Sequence, residues 1–173
     1  SGESAAGKYP VEAVRTMATI ARRTEEAIDY RERFYHQDYA PDDVTAAISH
    51  ATCTTAYDLS AAAIISITQS GQTARMCSRF RPGVPIIACT TSEGVYRQLS
   101  LAWGVTPLVM KMESSTDALF DGAVEIARRA GLITDGDLVV LTAGVPLGIP
   151  GTTNLIKVAL AGYCLVQGRG LSG

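Results

Sequence analysis

From about residue 62 onward, apolar runs of strand length alternate with segments of helical spacing, and this alternation constrains the fold more than any single motif. It predicts strands over 62–67, 85–89, 106–110 and 137–142, with helices over 73–80, 92–102 and 116–130 between them. In the last of these helices Leu119, Ala123, Ile126 and Ala130 share a face. Helices that carry the chain from one strand to the next make the strands parallel and cover both faces of the sheet. A final strand over 154–160 follows a connector, 143–153, that contains no helix, so it is expected to pair antiparallel at an edge. The predicted fold is α/β: a three-layer domain with a mostly parallel five-stranded sheet, an antiparallel edge strand and helices on both faces.

Two helices precede this pattern. Pro10 suits a first helical position, and Val11, Val14, Met17, Ala18, Ala21 and Ile28 recur at helical spacing, which predicts one long helix over 11–33. A connector over 34–41 leads to a second helix over 42–59, with Asp42 and Asp43 at its positive end. The first helix has no strand of its own, which marks a boundary after it.

With 173 residues, 47% of them hydrophobic and 18% charged, the chain can hold one α/β domain and a small attachment. A net charge of -2 gives no footprint for nucleic acid or an anionic membrane. No apolar run approaches the roughly 20 residues of a bilayer span, and residues 1–8 lack a secretory pattern. The expected location is cytoplasmic. Cys53, Cys77, Cys89 and Cys164 have no metal or redox spacing and read as buried free thiols.

After the first strand the chain reads Thr68, Gln69, Ser70, Gly71, Gln72, Thr73. The carboxyl end of a parallel strand, a helix amino terminus, one glycine and three hydroxyls coincide there, and together they suit a phosphate-sized anion. An ordinary strand-to-helix turn with a Ser or Thr cap is the plainer reading of the same residues. The second candidate is the stretch over 143–154, whose Gly148, Gly151 and Thr152 lie in a shaped Gly/Pro connector on the same edge of the sheet.

The opening residues Ser1-Gly2-Glu3-Ser4-Ala5-Ala6-Gly7-Lys8-Tyr9-Pro10-Val11-Glu12-Ala13-Val14 resemble a signature of pyruvate kinases. The two loops, Trp103-Gly104-Val105 and Gly136-Asp137 resemble the same family's C-terminal domain. The resemblance implies that residues 1–36 end the catalytic (β/α)8 barrel, 37–162 form the regulatory domain, and 163–173 begin a linker towards a possible extra C-terminal domain. It implies a tetrameric enzyme of bacterial type, with magnesium and potassium, that moves phosphoryl from phosphoenolpyruvate to ADP. The residues for that chemistry lie upstream, with Ser1, Gly2 and Glu3 nearest to them, so this chain alone is expected to be inactive. Thr68, Gln69, Ser70, Gly71, Gln72 and Thr73 would hold an activator's phosphate, and Gly148, Gly151 and Thr152 would close over it. Members activated by fructose 1,6-bisphosphate often have a basic residue in the first loop, where this chain has Gln69 and Gln72. They also have an arginine at the position aligned with Leu119. The expected effector is therefore a sugar monophosphate or AMP.

Two other functions fit parts of the pattern. Thr-x-Ser-Gly-x-Thr also resembles a flavin-phosphate loop, which would give a flavodoxin-like FMN-binding protein. A purely structural tetramerisation module would leave the loop empty. His36 and His50 read as connector and helix-surface or interface residues, Trp103 as core or loop packing, and Asp135 and Asp137 as a turn. Glu25-Glu26 and Arg128-Arg129 read as solvated helix faces.

Overall fold

Residues 63–66 are fully buried, and a strand covered on both faces has to sit inside the sheet. The computed structural model describes residues 2–37, 39–40, 43–113, 115–145 and 153–163. Its elements run α1 (Gly2–Ala5), α2 (Pro10–Glu26), α3 (Tyr30–Tyr35), α4 (Val44–Asp58), β1 (Ala63–Ile67), α5 (Gln72–Arg79) and β2 (Ile86–Thr90). They continue with α6 (Glu93–Leu99), β3 (Val105–Val109), α7 (Thr116–Arg129), β4 (Leu138–Gly144) and β5 (Thr153–Leu160). The strand order is β3-β2-β1-β4-β5, which places β1 at the centre. All pairs are parallel except β4–β5. This is the three-layer α/β fold expected from the alternation.

Period-two alternation divides the core. Ile65, Ile87, Val139 and Leu141 meet Leu119, Phe120, Ala123 and Ala127 of α7 on one face. Ile64, Ile86 and Val140 meet Cys53, Ala56 and Tyr57 of α4, together with Cys77 of α5, on the other. Leu99 of α6 and Ala74 of α5 pack with Ala88 beside them. Cys53, Cys77 and Cys89 are buried free thiols, as expected, whereas Cys164 lies outside the described residues.

The single helix expected over 11–33 is two helices. Its periodicity conceals a cap: Asp29 takes an extended conformation, and its carboxylate accepts a hydrogen bond from the Glu32 amide at 2.9 Å, which starts α3. Phe34 consequently belongs to a helix rather than to a connector, and it is the one residue of that helix that is buried. The expected start of the next helix also moves, since Asp43 is its N-cap and accepts from the Ala46 amide. No residue of α2 is buried, and Val11, Val14, Met17 and Ile20 are each more than half exposed. Among the described residues no helix is long and apolar enough to cross a membrane.

His50, on the half-buried face of α4, is packed among aromatic rings. Its ring lies between Tyr39 at 4.3 Å and Phe34 at 4.9 Å, with Phe80 edge-on at 5.2 Å. Burial holds its imidazole below the ordinary value, so the native state binds fewer protons there than the unfolded chain does. Stability from this site is full above a pH of about 6.5 and is lost as the pH falls through the lowered native value. The Glu125 carboxyl is held below its usual range by Arg129 and Arg128, so its contribution is lost at lower pH. Denaturant midpoints measured as the pH drops below about 6.5 should therefore fall in the native chain, and the fall should flatten in His50→Phe, which keeps the stack but cannot titrate.

Candidate anion-binding site

The sheet reverses direction at β1. The chain leaves β1 through α5 to β2 on one side, and it reaches β4 on the other side through α7, which packs on the opposite face. The carboxyl ends of β1 and β4 therefore border the crevice where open α/β sheets bind ligands. The 68–73 loop emerges there. The Thr68 amide donates to the Cys89 carbonyl at 2.9 Å, which extends the sheet pairing by one residue.

The loop turns on Gly71, which is buried and has φ of 78°. A Cβ at this position would lie 2.7 Å from a guanidinium nitrogen of Arg75 and 3.2 Å from Leu99 and from Val95 of α6. Left-handed backbone and close neighbours both call for glycine. The Gly71 amide donates to Thr68 Oγ1 at 2.9 Å, and the Gln72 amide to Ser70 Oγ at 3.4 Å. Helix α5 has no side-chain cap bond, so its positive end faces the crevice without an internal carboxylate. Arg75 folds back over the loop and donates from Nη2 to the Ser70 carbonyl at 3.1 Å. The loop itself contains no Lys or Arg, and Arg75 is the nearest basic residue in the sequence. It supplies a basic group because it follows Gly71 by four residues, about one helical turn.

The start of β5 lies beside the first loop. Thr73 Oγ1 and Thr153 Oγ1 are 2.5 Å apart and both residues are buried, which joins α5 to the start of β5. In the β4–β5 ladder Ala143 faces Leu155 and Gly144 faces Thr153, so Asn154 is an extra, bulged residue. Its side chain accepts from the Val145 amide at 2.9 Å and donates to the Val145 carbonyl at 2.6 Å, which clamps the base of the connector. Gly148, Gly151 and Thr152 lie outside the described residues. Beneath the crevice, Ser66 of β1 and Thr142 of β4 are in register and fully buried, and neither hydroxyl has a protein partner. Leu119 is buried in the α7-side core.

Hydroxyls, a helix amino terminus and one guanidinium are groups whose chemistry suits an anion. The 68–73 loop has no Asp, Glu, His, Lys or Cys. The Cys89 thiol, next to it in the sheet, is pushed up to about 12 by burial. Among the described residues there is no group of three side chains suited to a metal ion. Asp137 accepts from the Thr134 amide and hydroxyl, which makes the 134–137 segment a turn as expected.

Residues 46–159 match the family model described as the α/β domain of pyruvate kinase. A pyruvate kinase of Geobacillus stearothermophilus is 46% identical over 172 residues, covering 99% of this chain and 29% of its own length. One of Clostridium acetobutylicum is 49% identical over 162 residues, covering 91% and 34% respectively. The crystal structure of a pyruvate kinase from Cryptosporidium parvum superposes with a TM-score of 0.78 at 33% identity, over 93% of this chain and 32% of that one. The chain belongs to the pyruvate kinase family. It spans about 30% of the length of these pyruvate kinases and corresponds to their C-terminal α/β domain. The strand order also separates it from flavodoxin-like sheets, which run 2-1-3-4-5.

In this pyruvate kinase domain Gly71→Ala should cost about 1–3 kcal/mol, through left-handed strain and the clash with Arg75, Val95 and Leu99. Urea unfolding of both proteins measures it, and equal midpoints would show that the loop can relax.

Proposed function

We propose that this chain is the regulatory and assembly portion of a pyruvate kinase, and that it binds an allosteric effector carrying a single phosphate, either a sugar monophosphate or AMP. Thr68, Gln69, Ser70, Gly71, Gln72 and Thr73 hold the phosphate, and Gly148, Gly151 and Thr152 close over the rest of the ligand. The observation that carries this reading is the Gly71 turn at the switch point, which brings two hydroxyls and the uncapped end of α5 together. Arg75, bonded to Ser70, supplies the cation beside them. One guanidinium balances one phosphate better than two, since an unpaired charge is costly to desolvate.

In the same reading residues 1–36 end the catalytic barrel, 37–162 are the regulatory domain, and 163–173 lead towards a further domain. The exposed apolar residues Val11, Val14, Met17 and Ile20 support a helix that packs on the barrel. Phosphoryl transfer from phosphoenolpyruvate to ADP, with its magnesium and potassium, belongs to the whole cytoplasmic enzyme, and this portion is inactive by itself. The two edges of the sheet differ in a way that supports assembly into a tetramer. Pro107 blunts β3, whereas β5 has no proline and exposes Val158 and Leu160.

Calorimetric titration with glucose 6-phosphate, AMP and fructose 1,6-bisphosphate tests the site. A monophosphate should bind more tightly than the bisphosphate, and Ser70→Asp should weaken it by about tenfold or more through like-charge repulsion. Tighter bisphosphate binding would refute the single-phosphate reading. No heat with any of the three would leave a purely structural assembly module.

A further inference from the structure

Trp103, in the turn between α6 and β3, touches four parts of the molecule. Its indole Nε1 donates to Glu25 Oε1 of α2 at 2.9 Å, so Glu25 is not simply a solvated charge. Its ring packs against Tyr30 of α3 with centroids 5.3 Å apart. Its carbonyl accepts from Ser78 Oγ of α5 at 2.6 Å, and the Arg81 guanidinium, just past α5, lies 4.8 Å over the ring. Arg81 is held at φ of 51°, a conformation that few arginines adopt without a compensating contact. The indole also borders a cavity of about 370 Å³ lined by Pro82, Val84, Pro85 and Gly104, so it has open space on one side.

We propose that Trp103 passes ligand occupancy of the 68–73 loop to the α2–α3 segment. This rests on the anion-site reading given above and assigns the route by which that site is regulated. Helix α5 is eight residues long, a rod of about 12 Å. Its amino end forms the loop, and its carboxyl end holds Trp103 through Ser78 and Arg81. A phosphate drawn onto residues 70–73 draws the rod with it, because the buried face of α5 is close-packed and cannot absorb the shift. Trp103 follows its bonded carbonyl, its ring moves relative to Arg81, and the bond to Glu25 lengthens. Linkage makes the effect reciprocal: displacement of α2 changes the loop's affinity for phosphate.

Trp103 is the sole tryptophan, so its fluorescence reports this step. The 173-residue chain is titrated with glucose 6-phosphate by calorimetry and by tryptophan emission in parallel. The expected result is a saturating emission change with the calorimetric midpoint, absent in Ser70→Asp. Ser78→Ala should bind the sugar phosphate within about twofold of the native affinity and lose more than half of the emission change. Calorimetric binding with constant emission overturns the coupling and leaves the site standing. So does a full emission change in Ser78→Ala. Emission changes that persist in Ser70→Asp overturn it as well, since the ligand would then act elsewhere. Absence of both heat and emission change refutes the site reading, and the coupling with it.

Discussion

Strand β1 is the constraint on which the rest of the structure depends. Its backbone is paired on both sides, with β2 and β4, and residues 63–66 are shielded from water on both faces. Buried amides and carbonyls have to be hydrogen-bonded, so the strand holds its neighbours in fixed register. Burying Ile64 and Ile65 contributes about 1.5–3 kcal/mol each. The register of β1 with β4 brings the carboxyl ends of both strands to a common edge.

The 68–73 loop concentrates short donors beside one guanidinium and contains no carboxylate. Gly71 makes this possible because it leaves the space that Arg75, Val95 and Leu99 occupy. Thr73 and Thr153 then join the helix that begins at the loop to the strand that ends the neighbouring connector. A group bound there would be felt by α5 as a whole, and α5 is anchored at its other end to Trp103. Anion recognition and its transmission would thus share one short helix. The chain carrying it corresponds to the α/β domain of the pyruvate kinase family.

Much of this was legible in the chain. Alternating periods gave the strands and helices, and the glycine with three hydroxyls marked the loop at residues 68–73. Other features were hidden by competition among local signals. Asp29 sits inside a helical period and interrupts it because its carboxylate caps the next helix. Asn154 reads as the start of a strand, yet it is the bulged residue that clamps Val145. His50 looks like a helix-surface residue until Tyr39 and Phe34 close on either side of it.

The sequence by itself determined the element types, the layered α/β class and the chemistry of the 68–73 loop, because periodicity and turn preferences are set over a few neighbouring residues. The tertiary structure decided the contacts between distant positions. Thr73 meets Thr153 across 80 positions of chain, and Glu25 meets Trp103 across 78. No local pattern encodes such pairs. The first arises because a buried parallel sheet fixes the strand ends and close packing places α5 against them. The second arises because the turn before β3 is carried to the helix that precedes the sheet.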